Sequence, residues 1–111
     1  MAKINLKALK NAPADGSRVT IGNNREVQKK ADGETVYRLH GHPVIRTAGN
    51  TMIVDTCGYS TVTTREAIKD FIAAHFGFAV TVSFSGGKFY LSIPALGYEQ
   101  STDGNMHTVE V

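Results

Sequence analysis

The residues of this sequence that could do chemistry lie in its middle, where two histidines precede the single cysteine. His40 and His42 are two residues apart, so on a continuous strand their imidazoles would share one face. Asp55 or Cys57 could complete part of a metal site, but zinc is held by three or four ligands at defined spacing. Gly41 between the histidines also predicts a bend. The pattern therefore favours a turn, and we predict no bound metal.

Cys57 is the one candidate nucleophile, because a helix predicted to begin a few residues later could lower the pKa of its thiol. A small enzyme that uses His40, His42 and Cys57 is accordingly one functional hypothesis. The sequence has no phosphate-binding loop, no paired-carboxylate pattern and no dinucleotide-binding motif beside these residues. We therefore predict no catalytic residue and no cofactor, and we interpret Cys57 as a small apolar side chain of the interior.

Length and composition predict that these residues belong to one small globular domain. The chain has 111 residues, of which 41% are hydrophobic and 20% charged, as is typical of a chain that folds. A single cysteine excludes an internal disulfide. No apolar run reaches the roughly 20 residues of a membrane span, and no apolar signal segment follows Met1. We expect a cytoplasmic protein that does not contact a membrane.

Charge is distributed unevenly along the chain. The net charge is only +2, but residues 1–30 carry a net +5 and residues 31–111 a net −3. Clustered cations attract anionic partners. A nucleic-acid-binding module is therefore a second functional hypothesis, in which Lys88 would hold a phosphate and Tyr90 would stack on a base.

One helix is predicted in the second half of the chain, at about 64–76. Thr63 and Glu66 have the spacing of a capping box. Apolar residues then recur every three to four positions, and Gly77 is the expected stop. The apolar stripe of this helix requires a packing partner.

A β-hairpin is predicted next, at about 78–93. Two runs of alternating apolar and polar residues flank Gly86-Gly87, which is a two-residue hairpin turn. This register pairs Phe84 with Phe89 and places the apolar side chains on one face. That face is expected to pack on the helix.

The residues before the helix predict an antiparallel meander, which makes the fold class α+β. In its last hairpin, a three-residue turn centred on Gly49 would pair Val44 with Val54 and leave both faces apolar. Arg46 and Met52 would then share the face of Val54, a mixture of apolar and arginine side chains that is found at interface centres. We predict that Arg46, Met52 and Val54 contact a partner or a second copy of the chain in a homodimer.

Both ends of the chain are expected to lie outside this domain. Residues 1–16 are predicted to form a loosely ordered basic arm, and residues 97–111 a polar C-terminal tail. The single α+β domain would then occupy residues 17–96.

Two strings in the middle of the chain resemble a family of small phage-encoded proteins that has no assigned biochemical role. The strings are Tyr37-Arg38-Leu39-His40-Gly41 and Gly58-Tyr59-Ser60-Thr61-Val62-Thr63-Thr64-Arg65. In that family an Arg-Leu-His-Gly strand end is followed by a hairpin, and then by a Gly-Trp-x-Thr-Val-Thr-Thr-Lys/Arg run into a helix. Here Tyr59 stands where tryptophan is usual, and the similarity runs from residue 24 to about residue 72. The resemblance implies a viral origin and leaves the activity open.

The preferred function is a small viral interaction protein of the host cytoplasm that binds and modulates a host macromolecule without chemistry of its own. The partner is expected to be a host protein, for example one that acts in host defence or is a target of host takeover. Tyr59 and Arg65 join the predicted binding residues. Arg65 opposes the dipole of the helix in its first turn, so it is expected either to pair with a carboxylate or to help bind an anion.

Overall fold

The computed structural model describes residues 4–111. In these residues it contains two α-helices, α1 (Leu6–Asn11) and α2 (Val62–Phe76), and a short 3₁₀ helix at Pro94–Leu96. The nine strands of the described residues are β1 (Arg18–Gly22), β2 (Arg25–Lys29), β3 (Thr35–Leu39), β4 (His42–Ala48), β5 (Thr51–Asp55), β6 (Thr81–Ser85), β7 (Lys88–Ile93), β8 (Tyr98–Thr102) and β9 (Met106–Glu110). None of the described helices has the length and apolar composition to cross a membrane.

The strands form two antiparallel sheets. The six-stranded sheet has the order β1-β2-β3-β4-β5-β9, and the three-stranded sheet has the order β6-β7-β8. Helix α2 contacts β3 and β4 of the large sheet and β6 of the small one. The predicted α+β class, with a meander, a helix and a hairpin that packs on it, is confirmed.

Helix α2 begins earlier than predicted. Thr61, not Thr63, is its N-cap, since the Thr61 hydroxyl accepts a hydrogen bond from the Thr64 N–H at 3.1 Å. The prediction of Thr63 as the cap is wrong because the first turn starts at Val62, where the threonine-rich string offers two alternative hydroxyls. Gly77 ends the helix with φ +79°, as predicted.

The core lies between α2 and one face of the six-stranded sheet, which we call the inner face. Its side chains share nearly complete burial: Val27, Tyr37, Leu39, Ile45, Met52, Val54 and Val109. The Tyr37 ring stacks on Phe71 of the helix, with 5.0 Å between ring centroids. The Tyr37 hydroxyl also bonds to Nδ1 of His75, one turn further along α2, at 2.7 Å. The helix is therefore fixed on the sheet by an aromatic stack and a hydrogen bond.

The register of the β4–β5 hairpin differs by one residue from the predicted one. A two-residue turn, Gly49-Asn50, sets Ile45 opposite Val54, so Val44 does not pair with Val54. Met52 and Val54 therefore point into the core and are fully buried. Their predicted role in contacting a partner or a second copy is wrong, because no exposed face carries them.

A β-bulge explains why the sequence of β4 is misleading. The pairing of β3 with β4 passes from Ile45 to Pro43 and leaves Val44 unpaired. Val44 and Ile45 are consecutive, yet both are buried. A bulged strand shows two adjacent apolar residues without having two apolar faces.

The β6–β7 hairpin confirms the predicted register. Phe84 pairs with Phe89 and Val82 with Leu91 across the turn at Gly86-Gly87. Both glycines have positive φ, which non-glycine residues rarely adopt.

The N-terminal segment is more ordered than predicted. Within the described part of residues 1–16, helix α1 buries Leu9, and the Asn5 N–H donates to the Ile21 carbonyl at 2.6 Å. The Lys29 ammonium donates to the carbonyl of Leu9 near the end of α1, also at 2.6 Å. The prediction of a loosely held arm is therefore wrong for residues 4–16, and residues 1–3 lie outside the described residues.

The C-terminal segment is likewise not a tail. Strands β8 and β9 occupy most of it: β8 extends the small sheet and β9 completes the large one. His107 of β9 joins the two sheets, because its Nε2–H donates to the Phe89 carbonyl at 2.9 Å while its Nδ1 accepts from the Tyr98 hydroxyl at 2.7 Å. The prediction failed because β9 buries only His107 and Val109, which is too few apolar positions to indicate a strand.

Candidate functional site

An open pocket of about 350 Å³ lies where the turn between β3 and β4 meets the start of α2. Six of its nine lining residues belong to the two strings Tyr37–Gly41 and Gly58–Arg65: Leu39, His40, Tyr59, Thr61, Thr63 and Thr64. The other three, His42, Val44 and Thr56, lie outside these strings. The fold thus brings together segments that are about 20 positions apart in the chain.

The β3–β4 turn places the two histidines differently. His40 and Gly41 are its central residues and both have positive φ, +51° and +80°, as in a type I′ hairpin turn. His42 already belongs to β4, where it pairs with Leu39 and packs its ring against that of Tyr59, with 5.1 Å between centroids. The predicted bend is confirmed. Within residues 4–111 no group of three or more His, Cys, Asp or Glu side chains could hold a metal ion.

The start of α2 forms one wall of the pocket, and this wall carries two threonine hydroxyls. The side-chain oxygens of Thr61 and Thr64 lie 3.1 Å apart, so one hydroxyl donates to the other. The Thr61 oxygen also accepts from the Thr64 N–H. When the buried Thr64 hydroxyl donates to Thr61, the O–H of the exposed Thr61 has no acceptor within the pair. This wall can therefore donate a hydrogen bond to a bound group.

Two large apolar side chains stand exposed in this part of the chain: Tyr59, which lines the pocket, and Val62, which lies between the lining residues Thr61 and Thr63 in sequence. Tyr59 is 51% exposed and Val62 is 64% exposed. The only other large apolar side chains of the described residues that are this exposed, Leu6 and Met106, lie on α1 and β9. Single exposed apolar residues are normal on protein surfaces, but two of them next to a pocket indicate a contact surface.

Cys57 is not activated as a nucleophile. Its thiol donates to the Pro43 carbonyl at 3.3 Å, and its backbone N–H donates to the Asp55 carboxylate at 2.8 Å. Burial raises the pKa of the Cys57 thiol, and the negative charge of Asp55 raises it further. A reactive cysteine needs a lowered pKa. This environment therefore argues against Cys57 as the nucleophile of an enzyme built on His40, His42 and Cys57.

Arg65 has a carboxylate partner, as one of the two predicted alternatives requires. Its Nε lies 3.4 Å from Oε2 of Glu66, and both side chains are about 40% exposed. An exposed ion pair of this kind contributes little stability. The neighbouring carboxylate of Glu66 offsets the unfavourable interaction of Arg65 with the helix dipole in the first turn of α2.

Lys88 and Tyr90 lie on the small sheet beside acidic residues. Lys88 forms an ion pair with Asp103, and the Tyr90 hydroxyl donates to the Glu99 carboxylate at 2.6 Å. This hydrogen bond raises the pKa of Tyr90. Two carboxylates next to the proposed phosphate site would repel a nucleic-acid backbone.

Three of the seven cations in residues 1–30 have partners within the molecule. Arg25 faces Asp70 at 3.7 Å, Lys30 pairs with Glu34 at 2.7 Å, and Lys29 binds the Leu9 carbonyl. These three are therefore not free to bind an anionic partner.

Arg46 alone of the three predicted hairpin residues lies on the outer face of the six-stranded sheet, the side away from α2. Its neighbours there include Arg18 and Arg38, which the sequence analysis did not select. The sequence signal for Arg38 was the alternation of side chains along β3. Because Tyr37 points to the inner face, Arg38 must point to the outer face.

The chain matches no model of a known protein family, no curated protein and no solved structure in the three comparisons made. The likeness of the two strings to phage proteins stays a prediction, and function is inferred from the geometry of the site.

Proposed function

We propose that this protein is a small viral interaction protein of the host cytoplasm, which binds and modulates a host protein through the pocket at the start of α2 and has no chemistry of its own. The observation that carries the proposal is the pair Tyr59 and Val62, exposed beside a pocket of about 350 Å³.

Tyr59 is suited to anchor a protein partner. Tyrosine is enriched among the residues that dominate binding energy, because its ring buries a large area at little entropic cost. The Tyr59 ring already rests on His42, which restricts its motion before binding. A partner side chain in the pocket would cover Tyr59 and Val62 and remove both from water.

The spare hydroxyl of the Thr61–Thr64 pair supplies a polar contact. A carbonyl or another acceptor on the partner would accept this O–H, whereas a partner without an acceptor would leave it unsatisfied in a closed interface. The apolar wall formed by Leu39 and Val44 contributes area and the hydroxyl contributes selectivity.

Two observations favour protein binding over the alternatives. The raised pKa of Cys57 disfavours nucleophilic catalysis, and the carboxylates beside Lys88 and Tyr90 disfavour nucleic-acid binding at that surface.

A pull-down from host lysate tests the proposal. The wild-type protein should capture one host protein, identified by mass spectrometry, and the double variant Tyr59→Ala/Val62→Ser should bind the purified partner at least about tenfold more weakly. The matched control is Leu6→Ser/Met106→Ser, which removes two equally exposed apolar side chains elsewhere. Equal loss in both variants, unchanged capture by the first, or recovery of nucleic acid alone would contradict the proposal.

A further inference from the structure

We propose that the outer face of the six-stranded sheet is a second binding surface, and that its ligand is an acidic polypeptide segment of a partner protein. This surface lies on the opposite side of the sheet from α2 and is separate from the pocket. One row of side chains crosses five neighbouring strands there: Arg18, Gln28, Val36, Arg46 and Ile53.

Arg38, two positions after Val36 on β3, is held in a fixed orientation on this face. Its Nε and Nη2 both donate to Oε1 of Gln28, at 3.2 Å and 2.9 Å, and its Nη1 donates to the Gly41 carbonyl at 3.1 Å. Gln28 is fixed in turn, because its Nε2 donates to the Gly16 carbonyl at 3.0 Å. A neutral amide thus holds the guanidinium in the forked geometry that a carboxylate usually adopts. Arg38 is oriented, and its charge is not neutralised.

The charges nearest to Arg38 are mixed, and two of them are arginines. Partial burial lowers the pKa of Arg38, and so do the nearby charges of Arg18 and Arg46, while Glu26, its cross-strand partner on β2, raises it. Within the described residues no salt bridge involves Arg18 or Arg38, whereas Arg46 has Glu34 at 3.7 Å. Like charges held together on one face of a sheet are destabilising. An acidic ligand would relieve this repulsion.

The surface also has one accessible apolar side chain. Ile53 is partly exposed at the end of the row, whereas Val36 is completely covered by its neighbours and only supports the row from beneath. Guanidinium groups around an apolar centre are the composition found at the centres of protein interfaces.

A carboxylate ligand fits this face better than a nucleic acid. None of the described strand positions that point to it carries an aromatic side chain on which a base could stack, since Tyr37 of β3 points into the core. Glu26 and Glu34 lie among the arginines and separate their positive charges, so this face has no continuous cationic track for a phosphate backbone. Separate carboxylates on a peptide can instead meet Arg18 and Arg38 one by one, in bidentate geometry.

The test uses a fluorescent peptide of eight glutamates, titrated with the intact protein at low ionic strength and followed by anisotropy. Arg38→Gln/Arg46→Gln should weaken binding by at least about tenfold. The control Lys7→Gln/Lys10→Gln removes the same charge from α1 and should change affinity by less than about threefold. Equal weakening in both variants would show attraction by net charge alone and would overturn the proposal.

Gln28→Glu provides an almost isosteric second variant. It places a carboxylate against Arg38 from within the chain, so it should abolish peptide binding without removing any cation. If Gln28→Glu does not fold, the binding of Arg38→Gln/Arg46→Gln alone tests the proposal. Tighter binding of an oligothymidine than of the peptide, lost in Arg38→Gln/Arg46→Gln, would also overturn the proposal. Tyr59→Ala should leave peptide affinity unchanged, which separates this surface from the pocket.

Discussion

The two faces of the six-stranded sheet differ completely in chemistry although the same strands build them. On β3, Tyr37 is buried against α2, whereas Arg38, the next residue, faces outward among other arginines. On β5, Met52 is fully buried and Ile53 is partly exposed. Successive side chains of a strand point to opposite faces. A step of one residue therefore separates the positions that hold the fold together from those that can contact a partner.

The largest expected effect is that of a charge on the inner face. Met52→Asp should cost more than about 4 kcal/mol and unfold much of the protein, because a buried carboxylate there has no partner. Ile53→Asp, one residue away on the outer face, should cost only about 1 kcal/mol. Chemical denaturation followed by circular dichroism measures both. Similar midpoints for the two variants would show that the faces are not distinct.

A cavity at the contact of helix and sheet should have the next largest effect. Phe71 is fully buried and stacks on Tyr37, so Phe71→Ala should destabilise the protein by about 3–5 kcal/mol. Arg46→Ala, on the outer face, loses a half-exposed ion pair with Glu34 and should change the free energy of unfolding by less than about 1 kcal/mol. An Arg46→Ala variant as unstable as Phe71→Ala would mean that the outer face carries core packing.

Acid should weaken the inner face gradually. His107 lies opposite Val54, and burial lowers its pKa below the value of about 6.5 expected in the unfolded chain. The unfolded state therefore binds more protons as pH falls through 6.5, and stability is lost by at most about 1.4 kcal/mol per pH unit for this group.

The slope of stability against pH checks this prediction. Denaturant midpoints between about pH 7.5 and pH 5.5 should fall for the wild type, with a smaller slope in His107→Gln. His75, whose pKa burial also lowers, remains in both proteins and keeps part of the slope. Equal slopes of stability against pH in the wild type and in His107→Gln would show that His107 does not cause the loss of stability in acid.

The sequence predicts register well where the turn residues permit one solution. Gly86-Gly87 between strictly alternating runs defines the β6–β7 hairpin. Around Gly49 a turn of two or of three residues is equally compatible with the local sequence. In the structure this turn has two residues, and a bulge at Val44 in the pairing with β3 accounts for two consecutive apolar residues that are both buried. Neither feature has a signal in the local sequence.

Little of the candidate site was predictable from the sequence. Tyr59 is the one predicted binding residue that lines the pocket, where it lies with His40 and His42 of the enzyme hypothesis. The threonines of the second string were predicted only as part of the start of a helix. The outer face was predicted only through Arg46. Assembling Arg18 and Arg38 beside it requires the register of four strands, which no local pattern contains.

The pairing of β9 with β5 has a consequence for how the protein folds. Met52 and Val109 are partners although 57 residues separate them, and closing such a loop costs about 2 kcal/mol more than closing a four-residue turn. Neighbouring strands of the meander are close in sequence and can pair early. The outer edge of β5 stays unpaired until β9, which is remote in sequence, pairs with it. That edge, Thr51–Asp55, is rich in β-branched and apolar residues, the composition that promotes intermolecular strand addition. Docking of β9 thus covers an edge that could otherwise pair with a strand of another chain.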